Sequence, residues 1–119
     1  MIKTKRIYDI VEKDNGMQVL VDRLWPRGLK KEEIKIDLWL KEVAPSTELR
    51  KWFSHDPTRW KEFCKRYKWE LTNDEERRKV LRELTKMAER RNLTLIYSAK
   101  DREHNNAVAL KKLIEDLLK

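Results

Sequence analysis

Two short apolar runs, "MQVLV" at residues 17–21 and "LTLIYSA" at residues 93–99, flank a long stretch whose apolar residues recur at helical spacing. This pattern constrains the fold more than any other feature. Strands separated by long helices, with an apolar strand feeding a helix, build an α/β layered fold around one small sheet. The expected architecture is a small, mainly parallel or mixed sheet covered by helices, in a single compact domain over residues 1–119.

Periodicity and punctuation refine that outline. Residues 3–10, "KTKRIYDI", alternate well enough for a first strand, and "VEKDNG" reads as a turn in which Asn15-Gly16 supplies positive φ values. The second strand, "MQVLVDRL", begins as a near-continuous apolar run, as in a central strand buried on both faces. A parallel crossover usually needs about a dozen residues or more, so the six of "VEKDNG" favour an antiparallel pair.

From residue 30, "KKEEIKIDLWLKEVA" reads as helical, with Ile34, Leu38 and Val43 beside Trp39, and Pro45 ends it. Ser46 is a good N-cap for a short helix over "TELRKWF". Asp56-Pro57 reads as an N-cap with an N1 proline, opening a helix whose Trp60, Phe63, Cys64, Tyr67 and Leu71 share a core-facing stripe. Thr72 to Glu75 has capping-box spacing ahead of a helix running to Asn92, with Val80, Leu81, Leu84, Met87 and Ala88 inward. A last helix starts near Asn105 and buries Val108, Leu110, Leu113, Ile114 and Leu117.

In α/β folds ligands gather outside the carboxyl ends of the strands. Two loops leave such ends here, "DRLWPRG" after the second strand and "SAKDREHNN" after the "LTLIY" strand, and parallel strands would open both on one edge. Arg23 and Arg27 offer planar, permanently charged forks for bidentate capture of phosphate or carboxylate. Lys100 adds a point charge, Trp25 and Ser98 border the same loops, and the helix start near Asn105 presents backbone N–H groups favourable to an anion. Asp22, Asp101 and His104 could move protons. The competing structural reading makes Arg23 a loop brace paired with Asp22 or Asp101, and Trp25 a core lid held by Pro26.

Charge and composition add a second candidate function. The net charge is +8, a balance that attracts polyanions, though most of the 29 basic residues are interleaved with 21 acidic ones. A basic helix face from Arg59 to Lys68, with Trp69 as a stacking platform among the cations Lys65 and Arg66, is the nucleic-acid alternative. With 42% charged residues and two glycines, the chain resembles the surface style of heat-adapted proteins. No window approaches the roughly 18 apolar residues of a membrane span, so a cytoplasmic protein without membrane contact is expected. The lone Cys64 excludes an internal disulfide. His55 and His104 come without ligand spacing, and no glycine-rich phosphate loop is present, so neither a metal nor a cofactor is expected.

The blocks "LVDRLWPRG", "APSTELRKWF" and "LTLIYSAKDREHNN" resemble the DUF488 family in its short YeaO-like branch, over nearly the whole chain. That resemblance implies a small α/β protein and carries no established reaction or substrate. It also implies a second strand parallel to the first, against the antiparallel pairing favoured by the short connection. The family's longer branch tends to carry a Cys-His-Arg triplet where the last helix begins, whereas Asn105, Asn106 and Ala107 stand here. A cysteine nucleophile is therefore missing from that loop, and Cys64, on an inward helix face, is expected to be inert.

Overall fold

A computed structural model of the chain describes residues 1–9 and 16–119. The described residues form four strands, β1 (Ile2–Arg6), β2 (Met17–Leu20), β3 (Leu38–Trp39) and β4 (Leu93–Tyr97), and four helices, α1 (Thr47–Phe53), α2 (Trp60–Asn73), α3 (Glu75–Arg90) and α4 (Asn106–Leu117). The sheet order is β1-β4-β2-β3, and each pairing is parallel, with Thr4 and Val19 both opposite Leu95. The chain is therefore α/β.

The antiparallel β1–β2 pairing is overturned: β4 lies between the two and runs parallel to both. β1 ends at Arg6, and Ile7–Asp9 coil into a 3₁₀ turn, so the link to β2 is longer than "VEKDNG" alone and can span a strand position. The Asn15-Gly16 turn lies partly outside the described residues. β4 takes the centre because all five of its side chains are buried, whereas β1 alternates exposed Lys3 with more buried neighbours, as suits an edge.

The helix expected over residues 30–44 is also overturned. Lys31–Glu33 and Lys41–Val43 are single 3₁₀ turns, and between them β3 extends the sheet. β2 needs backbone partners on the side away from β4. Asp37 N–H donates to Gln18 O at 2.8 Å, Leu40 N–H donates to Leu20 O at 2.9 Å, and the Asp37 carboxylate accepts Gln18 N–H at 2.7 Å. Leu38 and Leu40 then pack into the helix-covered core while Trp39 between them joins Ile34 and Ile36 on the other face, a short alternation that the helical reading passed over.

The two faces of the sheet are covered differently. Val19, Val21, Leu93, Leu95 and Tyr97 pack against buried residues of all four helices, including Phe53, Phe63, Tyr67, Leu84 and Leu110. Leu20 and Ile96 point the other way, onto Trp25, Leu29, Ile34, Ile36 and Trp39. One face thus carries helices, and the other carries the non-helical chain that leaves β2.

Capping follows the sequence closely. Ser46 accepts from Leu49 N–H at 3.0 Å to start α1, and Asp56 caps the Pro57–Arg59 turn ahead of α2. The cap of α3 is Asp74, which accepts from Arg77 N–H, while Thr72 donates back to Lys68 O within α2; the N-cap lies two residues beyond the expected Thr72, and Arg77 at its third position makes no capping box. The α2 stripe is inward, with Phe63, Tyr67 and Leu71 buried and Trp60 and Cys64 half-buried. In α4, Leu110, Leu113 and Ile114 are buried and Val108 is half-buried, but Leu117 is 51% exposed because the helix has run past the sheet by its last turn.

Candidate functional site

Because β2 and β4 are parallel neighbours, the loops that leave them emerge side by side. Asp22 joins them: its carboxylate accepts Ser98 N–H at 3.0 Å, Ser98 Oγ–H at 2.7 Å and Asn106 Nδ2–H at 3.1 Å. Asn106 also donates to Val21 O at 3.0 Å, which fixes its amide orientation. Burial pushes the Asp22 carboxyl above its ordinary value, against the lowering effect of the Ser98 and Asn106 hydrogen bonds and of the nearby Arg50 charge. Asp22 thus braces the two loops.

Between the loops lies a cleft of about 1010 Å³. Of the residues singled out in the sequence, Asp22, Arg23, Trp25, Arg27, Ser98, Lys100, Asp101, His104 and Asn105 all line it, whereas Lys65, Arg66 and Trp69 do not. Buried Pro26 and exposed Gly28, the latter at φ 77°, shape the first loop; φ in that region favours glycine. Trp25 is half-buried: its indole N–H donates to Leu29 O at 2.6 Å and its ring meets Trp39 edge-on at 5.4 Å, so it serves both cleft and second core. Trp39 in turn donates to Asp22 O at 2.8 Å.

The cations are arranged differently from the bracing that the structural reading anticipated. Arg23 pairs with neither Asp22 nor Asp101; its guanidinium lies 3.4 Å from Pro45 O, a long hydrogen bond. None of the ion pairs among the described residues includes Arg23, Arg27, Arg50, Lys51 or Lys100, although all five line the cleft. Its acidic side chains, Asp22 and Asp101, are already engaged as acceptors.

Asp101 accepts Glu103 N–H at 2.9 Å and His104 N–H at 3.0 Å, and lies 3.0 Å from His104 Nδ1. The Glu103 backbone bond foremost, with His104 adding to it, holds the Asp101 carboxyl below its ordinary value. A carboxylate at Nδ1 orients the imidazole. Yet among the described residues no hydroxyl or thiol is hydrogen-bonded to His104, which instead meets Trp60 edge-on at 5.3 Å. Asn105 is buried with both ends of its amide occupied, accepting Val108 N–H at 3.0 Å as the cap of α4 and donating to Asp101 O at 2.9 Å. Cys64 lies outside the cleft lining, half-buried, with its thiol pushed up by burial. Among the described residues no three His, Cys, Asp or Glu side chains are grouped as metal ligands.

Sequence reasoning missed the third wall. Arg6 ends β1 and Tyr8 lies in the turn just after it, and Arg6 Nε donates to Ser98 O at 3.1 Å and Ala99 O at 3.0 Å. The strand-end rule would have found them had β1 been placed beside β4. Arg50, Lys51, Ser54 and His55 come from α1 and its end. Ser54 and His55 both hold positive φ, 48° and 56°, a pair of non-glycine left-handed residues with no sequence signature.

Fold and cleft together define a small parallel α/β protein with an arginine-rich crevice at the carboxyl edge of its sheet. The chain belongs to the DUF488 family: the model described as the inactive DUF488-N3 subclade matches residues 1–119. It is 42% identical over 116 residues to the uncharacterized protein YeaO of Escherichia coli K12, covering 98% of each chain. It is 36% identical over 113 residues to the uncharacterized protein Rv3073c of Mycobacterium tuberculosis H37Rv, covering 95% of this chain and 92% of the relative. No solved structure matches it. Among the described residues no helix is long and apolar enough to cross a membrane.

Proposed function

We propose that this protein binds a small anionic ligand, phosphate-bearing by preference, at the carboxyl edge of its sheet, and holds it without transforming it. The observation that carries this reading is the set of cleft cations, Arg23, Arg27, Arg50, Lys51 and Lys100, which take part in no ion pair among the described residues. Guanidinium groups gathered in a concavity focus their field on one region, where an anion neutralises them with charge-assisted hydrogen bonds. The binding-only part rests on the engaged Asp22 and Asp101 carboxylates, on His104 having no hydroxyl or thiol partner among the described residues, and on membership of a subclade described as inactive.

The basic helix face supports the nucleic-acid alternative less well. Arg66 pairs with Glu62 at 3.0 Å and sits 4.1 Å over the Trp52 ring, and Arg59 pairs with Asp56 and covers the same ring. Those guanidiniums are already occupied, although Trp69 stands 65% exposed beside them.

Thermal unfolding in phosphate or sulfate tests the proposal. A ligand that binds only the folded state stabilises it by RT ln(1 + L/Kd), with L its free concentration, a gain that keeps growing as L rises above Kd. The wild type should gain stability from either anion. Arg27→Lys, at an exposed position, should keep its stability without anion and lose affinity by about 1.5–3 kcal/mol, since an ammonium keeps the charge without the fork. No gain in the wild type would overturn the proposal.

A further inference from the structure

We infer, resting on the anion-binding reading, that the ligand is a phosphate monoester carrying a flat aromatic group, held with its phosphate on the arginines and its ring against Leu24 and Tyr8. The volume is the first reason. About 1010 Å³ is at the upper end of the roughly 300–1,000 Å³ typical of small-molecule sites, and a bare phosphate leaves most of it unfilled.

The second reason is the apolar surface beside the cations. Leu24 and Tyr8 are large apolar side chains standing 63% and 46% exposed, and both line the cleft. Leu24 is not counted in either apolar core, so its exposure between Arg23 and Trp25 is not explained by folding. Tyr8 is held in place: its hydroxyl donates to Arg27 O at 3.2 Å, and the Arg6 guanidinium lies 4.7 Å from its ring centroid. A fixed aromatic wall loses little freedom when a second ring packs on it. The Tyr8 hydroxyl also ties this wall to the backbone of Arg27, so the aromatic ring stands against the loop that carries the cation.

Isothermal titration of the full chain with inorganic phosphate, phenyl phosphate, 5′-AMP and adenosine tests the inference. Both aromatic esters should bind more tightly than phosphate, by about fivefold to a hundredfold, the worth of one base–aromatic stacking contact. AMP exceeding phenyl phosphate would identify the ring as a nucleobase; equality would identify any aromatic ester as sufficient, and both support the inference. Leu24→Ser, at an exposed position, should narrow the gap between AMP and phosphate. Phosphate binding with no gain from either ester would overturn the inference and leave the anion site standing. Adenosine binding as tightly as AMP, or no binding by any probe, would overturn the anion site itself.

Discussion

Replacing Asp22 by alanine removes the acceptor that joins the two cleft loops, and its cost can be worked from the hydrogen bonds. Ser98 N–H loses its side-chain partner, and Asn106 keeps Val21 O but loses one of its two acceptors. A buried donor left unsatisfied costs about 1–3 kcal/mol, and relief of the desolvated carboxylate offsets part of this, so a net loss of about 1–2 kcal/mol is expected. In a domain of this size that lowers Tm by roughly 4–8 °C. Asp22→Asn separates charge from geometry. Its carbonyl can still accept from Ser98, but its amide then confronts the Asn106 amide, which cannot turn without losing Val21 O, so this variant too is destabilised. The pH dependence gives a sharper check. A carboxyl whose folded pKa is raised binds its proton more tightly when folded, so its contribution is greatest below the ordinary value of 3.8 and is lost as pH rises through the raised value. The stability gap between wild type and Asp22→Asn, measured by urea unfolding, should therefore narrow as pH rises from 3.8 into the mildly acidic range. A gap that widens with pH would refute the reasoning, because Asp22 would then be a favoured anion.

Glycine substitutions should separate backbone strain from collision. Gly28→Ala meets nothing within 4 Å but must hold φ 77°, costing about 1–2 kcal/mol, whereas Gly16→Ala places its Cβ 2.4 Å from Asn92 O and should cost more in denaturant unfolding. Asp101 has a lowered pKa, so its stabilisation is present above the ordinary carboxylate value and lost as pH falls through the lowered one; acid titration should show the wild type losing stability relative to Asp101→Asn. Nucleic acid should bind weakly, without sequence preference and with steep salt dependence, and Trp69→Ala should leave it unchanged; selective binding abolished by that substitution in a filter assay would favour the helix face.

The parts legible in the sequence are those set by local pattern. "LTLIY" has no periodicity to confuse and became the central strand, Ser46 and Asp56 capped as their chemistry dictates, and the α2 stripe faced inward. The failures share one cause. Residues 34–40 satisfy both a helical spacing, through Ile34 and Leu38, and a short strand alternation, through Leu38, Trp39 and Leu40. The open edge of β2, a partner distant in sequence, decided between them. β1 and β2 were expected to pair because "VEKDNG" is short for a parallel crossover, yet the position between them fell to β4, a strand more than seventy residues further on. The two loops of the cleft were readable because strand ends are local. Arg6, Tyr8 and Arg50 were not, since they reach it only through the placement of β1 and the docking of α1, where Ser46 N–H and Oγ–H donate to Glu70 of α2 at 2.9 and 2.5 Å.

Backbone amide spectra of the labelled protein titrated with phosphate at low ionic strength address the anion site most directly. The account predicts saturable shifts gathered on residues 22–28 and 98–107, where the two loops meet, with smaller ones at Arg6 and Arg50. Shifts spread along α2 around Lys65, Arg66 and Trp69, or no saturable shift in either loop, would contradict it.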